Sequence, residues 1–163
     1  MQVTELAVDK LVPYASNSRT HSDEQVAQIA GSIKEFGFNN PILLDGEKGV
    51  IAGHGRLLAA RKLGMDKVPT IELAHLTENQ RKAYVLADNK LALNAGWDNS
   101  LLKIELNGLD AEGFDLTLTG FSVGEMDELF FEPNFQPGSE DNQGRLDQKN
   151  PIKCPECGCE FQA

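Results

Sequence analysis

The sequence predicts a small α+β domain, and three observations carry that prediction. Apolar residues alternate in short runs and recur at helical spacing in longer ones, giving the order strand, helix, strand, strand, loop, helix, strand, helix. Helix-start signals stand where the spacing changes, at Ser22 with Gln25, Thr77 with Gln80, and Ser122 with Glu125. Within residues 49–64, GVIAGHGRLLAARKLG, a short apolar strand runs through Gly53-His54-Gly55-Arg56 straight into a helix.

Taken in order, residues 1–12 alternate well enough for an edge or first strand, ended by Pro13. The polar run Asn17-Ser18-Arg19-Thr20-His21 precedes a helix in which Val26, Ile29, Ala30, Ile33 and Phe36 recur until Gly37 stops it. Residues 41–44 read as a strand, 45–49 as a hairpin loop and 50–52 as the return strand. The next helix is expected to bury Leu57, Leu58, Ala60 or the stem of Arg61, and Leu63, with Gly64 as its stop. Residues 68–73 read as a further strand. The longest helical stretch, 77–94, carries Tyr84, Ala87 and Leu91 as an expected core stripe. A short helix over 101–106, a short strand over 114–118 and a helix over 123–130 follow, with Trp97 as their packing anchor. After residue 131 the composition turns polar and rich in Pro, Gly, Asn and Gln. The expected organisation is therefore a folded domain over 1–131, a flexible acidic linker over 132–150 and a cysteine-bearing tail over 151–163.

The net charge of −10 is unevenly spread. Residues 1–96 hold 11 Lys and Arg against 11 Asp and Glu, whereas residues 97–163 hold 4 against 14. An acidic C-terminal part repels nucleic acid and anionic membrane surfaces, so no general DNA-binding patch is predicted. Specific DNA contact by the neutral part stays open. No run nears the ~18 apolar residues of a membrane span, and the N-terminus lacks a leader pattern, which places the chain in the cytoplasm as an expectation. Cys154, Cys157 and Cys159 crowd into the last ten residues. In an otherwise cysteine-free chain that favours metal over disulfide. Two thiolates from the C-x-x-C turn can take two corners of a zinc tetrahedron, with Cys159 as a third ligand. The fourth would come from His75, His21, Glu160 or another subunit.

The turn at Gly53-His54-Gly55-Arg56 has the physics of an anion site. Glycines let the backbone approach a ligand, a helix start offers unpaired N–H groups, and Arg56 adds a fork of donors suited to phosphate. His54 is a candidate ligand donor, a candidate acid/base, or a cap. Arg19 and His21 are candidates to approach the same site, as is Asn40, which with Asn39 precedes Pro41. Asp88 and Asn89 sit mid-helix, where neither residue is intrinsically favoured, and that local conflict points to a site. Neither a Walker A sequence nor a dinucleotide-binding fingerprint is present.

Three stretches in order, NSRTHSDEQVAQIAGSIKEFGFNNPILL, VIAGHGRLLAARKLGMDKVPTI and LTENQRKAYVLADNKLALNAGWD, resemble the ParB/sulfiredoxin superfamily over roughly residues 3–131. The likeness is to the ParB-like N-terminal, or ParB-like nuclease, domains of phage, mobile elements and DNA methyltransferases. It implies a compact fold with a small mixed sheet, packed helices and a C-terminal helical extension. In partition ParB proteins the second stretch is the nucleotide box, typically Gly-Glu-Arg-Arg-x-x-Ala. This chain matches it at Gly53, Arg56 and Ala59 and departs from it at His54 and Gly55. The family's Glu-Asn pair is matched by Asp88-Asn89, with Ala92 at the arginine position. These departures mean that CTP-switch chemistry is not inherited. Sulfiredoxin's reactive cysteine is absent near the loop, which excludes sulfinic-acid reduction.

What the resemblance implies is a nucleotide-binding protein of phage or mobile-element type acting in DNA transactions, accessory to a DNA methyltransferase or other DNA-modifying partner. CTP or ATP would sit on Gly53, His54, Gly55, Arg56, Arg19, His21, Asn40, Asp88 and Asn89, with Mg²⁺ on Asp88. A homodimer is compatible with it. A helix-turn-helix domain after the fold is not expected, because residues 131–163 are too short and too polar. The alternatives are a Mg²⁺-dependent phosphotransferase, nucleotide hydrolase or nuclease on the same fold, and a non-catalytic interaction module.

Overall fold

Two strands that neighbour each other in sequence, β3 (Ile42–Leu44) and β4 (Gly49–Ala52), pair antiparallel at the centre of a five-stranded mixed sheet. β5 (Lys67–Glu72) lies parallel to β3, and β1 (Val3–Ala7) closes that side antiparallel to β5. The other edge is β2 (Val12–Pro13), parallel to β4, giving the order β1-β5-β3-β4-β2. This computed structural model describes residues 1–131 and 152–161. The chain divides into two units, Met1–Phe130 and Phe131–Ala163. The linker expected over 132–150 lies outside the described residues.

Alternation along β4 sets the layers. Val50 joins one core cluster with Ile42, Leu44, Val68 and Leu57, while its neighbour Ile51 joins another with Leu73 and Val85, because successive side chains on a strand point to opposite faces. Helix α2 (His54–Lys62) covers the first face through Leu57 and Ala60, and helix α1 (Asp23–Phe36) lies on α2 through Val26, Ala30 and Ala59. Helix α3 (Glu78–Asn94) packs on the second face through Val85. The lone buried polar side chain of the core among the described residues, Thr70, donates its hydroxyl to the Thr4 carbonyl at 2.8 Å, which removes the cost of burying it unpaired.

Several expectations are corrected here. The first strand is not continuous: a 3-10 turn, Val8–Lys10, interrupts it. Val8 and Leu11 are both buried, and an extended strand would send residues three apart to opposite faces. Pro13 is the last residue of the separate edge strand β2, where its missing donor costs no sheet bond. At the start of α1, Ser22 caps Gln25 N, but the Gln25 side chain turns to His21 instead of completing a capping box. On α2 the fully buried residues are Leu57, Ala59 and Ala60, whereas Leu58 and Leu63 are exposed, because a helix held between a sheet and another helix needs small residues where the backbones approach.

The α3 stripe is also corrected. Tyr84 is 36% exposed and Leu91 67% exposed, because the helix contacts the sheet through Val85, about 100° around the axis from Tyr84. The capping box of Thr77 and Gln80 forms as expected. Helix α4 (Asn99–Ala111) is longer than expected and is capped by Asp98, whose Oδ1 accepts from Ser100 N and Leu101 N. Residues Leu116–Thr119 form a 3-10 turn rather than a strand, since the Asp115 carboxylate accepts both the N–H and the hydroxyl of Thr117 and closes the chain on itself. The Ser122 and Glu125 box starts helix α5 (Val123–Phe130) as expected. Trp97 does touch Phe121, at a ring-centroid distance of 5.4 Å, but it is 70% exposed and is no buried anchor.

Leu57→Ala should therefore lower the unfolding free energy by about 2–5 kcal/mol, whereas Leu58→Ala should stay within about 1 kcal/mol. Urea denaturation of the two variants checks this, and equal losses would contradict the placement of α2.

Candidate functional site

The end of β4 delivers the chain to Gly53, which adopts φ +97° and serves as the N-cap of α2. Only glycine takes that conformation without strain, and it reverses the chain within one residue. The expected four-residue loop is thus one residue followed by the first turn of a helix. The first intrahelical bond runs from Leu57 N to Gly53 O at 2.9 Å. The N–H groups of His54, Gly55 and Arg56 precede it, and no side chain caps them. They form a donor set with the positive end of the helix dipole behind it.

The two glycines serve different ends. A Cβ on Gly53 would lie 3.0 Å from Arg56 Nη2, so the bare backbone lets the guanidinium fold back over the turn. A Cβ on Gly55 would lie 2.9 Å from both His21 Cε1 and Ile29 Cδ1. Gly55 therefore permits the close approach of α1 to α2, while its N–H stays in the uncapped donor set at the start of the helix.

Around this turn lies a cleft of about 190 Å³ lined by Arg19, His21, Gly53, His54, Gly55, Arg56, Asp88 and Asn89, together with Asn17, Gln25, Ile29, Ile51 and Ala52. Eight of the nine residues singled out for phosphate or nucleotide in the sequence meet there. Asn40 does not; it lines a neighbouring groove of about 420 Å³ that shares Arg56 with the cleft. Arg19 Nη1 donates to the backbone and side-chain oxygens of Asn89 at 3.4 and 3.5 Å, and Asn89 Nδ2 donates to Val85 O. Asn89 thus holds Arg19 rather than presenting a free amide. Asp88 is exposed on α3 and its carboxylate favours the charged form of Arg56, opposing the burial that draws the guanidinium below its ordinary pKa. Arg19 and Arg56 against Asp88 leave the lining with one net positive charge.

His54 Nε2 accepts the Tyr14 N–H at 3.2 Å. That contact needs a lone pair on Nε2, which puts the proton of the neutral ring on Nδ1. Burial, with a smaller contribution from the nearby His21, holds its pKa below the ordinary histidine value. His54 in this arrangement is a neutral donor and a tether for residue 14, and the acid/base role has its Nε2 already engaged. His21 Nδ1 and Gln25 Oε1 are 2.8 Å apart.

Sequence reasoning missed Asn17, Gln25 and Tyr14. Asn17 Oδ1 accepts Arg19 N in a two-residue turn, a pattern that its place in a polar run could have signalled. Tyr14 contributes a backbone N–H, which leaves no trace in residue type. In the tail, β6 (Ile152–Lys153) pairs with β7 (Glu160–Phe161), and the turn is closed by Cys154 N to Cys159 O and Gly158 N to Cys154 O, both 2.9 Å. Cys154 is half-buried, and Cys157 and Cys159 are exposed; all three are free thiols. Hydrogen bonds from the Cys159 backbone and from the Cys154 and Cys159 thiols lower the Cys157 pKa. Among the described residues no group of three or more His, Cys, Asp or Glu is placed to hold a metal ion. No helix among the described residues is long and apolar enough to cross a membrane.

A mixed sheet covered by α2 and α1 thus presents an uncapped helix start beside Arg19 and Arg56. The chain belongs to the ParB N-terminal domain family, whose model matches residues 1–90. A second model, described as the ParB-methyltransferase HTH domain, matches residues 100–155. This corrects the expectation of no helix-turn-helix segment: that expectation looked beyond residue 131, whereas the match begins in α4. The chain is 55% identical over 75 residues to the ParB-like nuclease domain-containing protein YnaK of Escherichia coli K12, covering 46% of this chain and 86% of that protein. It is 31% identical over 93 residues to a nucleoid occlusion protein of Geobacillus, covering 54% of this chain but 33% of that protein. Among solved structures, the C-terminally truncated chromosome-partitioning protein ParB of Caulobacter crescentus, complexed with CTP-γ-S, shares the fold at a TM-score of 0.59 and 19% identity. That match covers 79% of this chain and 71% of that one.

The His54 contact sets a pH dependence. Because its folded pKa lies below the ordinary value of 6.5, its stabilising contribution is complete above about pH 6.5 and is lost as pH falls through the folded value, where Nε2 gains a proton facing the Tyr14 N–H. Wild type should melt at lower temperature at about pH 5 than at about pH 8, and His54→Asn, which does not titrate, should show a smaller difference. Equal pH slopes for the two proteins in a thermal melt would remove His54 as the source.

Proposed function

We propose that this chain binds a nucleoside triphosphate by its phosphates at the N-terminus of α2 and acts as a nucleotide-binding ParB-like protein in DNA transactions. The observation that carries this reading is the convergence of three uncapped N–H groups, Arg56 and Arg19 on one small cleft. Each is a donor, the lining is net positive, and helix starts of this kind are ready-made anion sites. At about 190 Å³ the cleft is smaller than the roughly 300–1,000 Å³ of a whole-ligand pocket, which suits a phosphate chain with the rest of the nucleotide outside it. The CTP-γ-S complex of the Caulobacter protein that shares this fold makes CTP the first ligand to test.

Mg²⁺ fits the same arrangement: Asp88 supplies the single carboxylate that such an ion takes from a protein when phosphate oxygens and water complete its shell. Catalysis has less support than binding, because the acid/base candidate has its Nε2 engaged and Asp88 is the one carboxylate among the lining residues. The helix-turn-helix match over 100–155, by its description, supports action beside a DNA methyltransferase or similar partner. The three resembling stretches support a phage or mobile-element source.

Thermal shift against CTP, ATP and S-adenosyl compounds, with and without Mg²⁺, tests the reading. A triphosphate at 100 times its dissociation constant should stabilise the fold by about 2.7 kcal/mol, and Arg56→Ala should abolish most of that gain. Silence across the panel, or a full shift retained in Arg56→Ala, would reject the site.

A further inference from the structure

A second cleft lies away from α2, between the start of α4 and α5. It measures about 370 Å³ and is walled by Trp97 and Phe121, floored by Leu102 and Leu129, and rimmed by Glu125 and Glu128. The two rings meet at 5.4 Å with their planes 58° apart, leaving Trp97 70% exposed. An aromatic wall beside carboxylates matches the two halves of a basic side chain: the alkyl stem lies on apolar surface and the charged head meets the ring face and the acids. The Glu125 carboxylate accepts from Ser122 N and Oγ, and it keeps its negative charge while doing so.

The surroundings carry the same sign. Within the segment matched as a helix-turn-helix domain, residues 100–131 hold seven Asp and Glu against one Lys. A domain that reads duplex DNA gains much of its affinity by neutralising phosphates with Lys and Arg, and an excess of acids opposes this at every approach. What complements the cleft and its field is a cation-bearing polypeptide.

We propose that this cleft docks an arginine- or lysine-bearing segment of a partner protein, so that the α4–α5 segment works as a protein-docking module and not as a reader of duplex DNA. The inference goes beyond nucleotide binding and does not depend on it. The cation seats between the Trp97 ring and the Glu125 and Glu128 carboxylates, and apolar neighbours in the partner cover Leu102, Phe121 and Leu129.

Trp97 is the sole tryptophan of the chain and lines the cleft itself, so its emission reports occupancy. The full chain is titrated with a short amphipathic helical peptide of Arg, Leu and Ala, with the same peptide carrying Glu for Arg, with poly-lysine, and with random duplex DNA. The expected result is a saturable shift in Trp97 emission with the Arg peptide, weakened by salt, and none with the Glu peptide or the duplex. Glu125→Gln with Glu128→Gln should weaken it about threefold to tenfold, while Gln at position 125 preserves the helix start and circular dichroism verifies the fold. The proposal is overturned by a saturable response to duplex DNA, by poly-lysine binding as tightly as the amphipathic peptide, or by binding unchanged in the double variant. It is equally overturned by no response to the Arg peptide.

Discussion

At Gly55 the backbone of α2 meets His21 and Ile29 so closely that a single added carbon would come within 2.9 Å of both. The rest of the domain depends on this approach. It lets α1 lie on α2 through Val26, Ala30 and Ala59, and α2 in turn lies on the sheet through Leu57 and Ala60. With α2 held on both sides, its N-terminus has one position, just past the end of β4. The uncapped N–H groups and Arg56 are therefore placed by packing, and pre-placed donors need no ordering when an anion arrives.

The remaining donors are brought in from far along the chain by contacts that are structural in their own right. Asn89 links Arg19 to α3, so a loop before α1 and a helix on the opposite face of the sheet reach one cleft. His54 binds the segment after β2 through Tyr14 N. Where partition ParB proteins, as the resemblance has it, carry glutamate and arginine, this chain carries a histidine that tethers and a glycine that packs. The helix start stays uncapped while His54 and Gly55 beside it make structural contacts, an arrangement that suits the proposed recognition better than turnover.

The acidic excess follows a parallel logic. Residues 1–96 are charge-balanced, so the net negative field belongs to the C-terminal part. The cleft at the start of α2, lined by Arg19 and Arg56 against Asp88, and the Trp97 cleft, lined by Glu125 and Glu128, accordingly carry opposite charge within one domain. Two ligands of opposite sign would not compete for the same surface.

Much of this could be read directly from residue order. Ser22, Thr77 and Ser122 marked three helix starts, Gly37 marked a stop, and the apolar run before Gly53 marked β4, because caps and alternation act over a few neighbouring residues. Family resemblance, carried by the three long stretches, also singled out eight residues that meet in the cleft. Tertiary structure decided the rest. It broke the first strand so that Val8 and Leu11 could share a core, and it left Tyr84 and Leu91 exposed because α3 meets the sheet through Val85. It also turned Gly55 into a packing residue and drew Asn40 into a different groove from its expected companions. Each of these depends on which face of an element meets a neighbour distant in sequence. Residue identity and spacing determine that an element forms, whereas the direction it faces is set by the surfaces available to bury it.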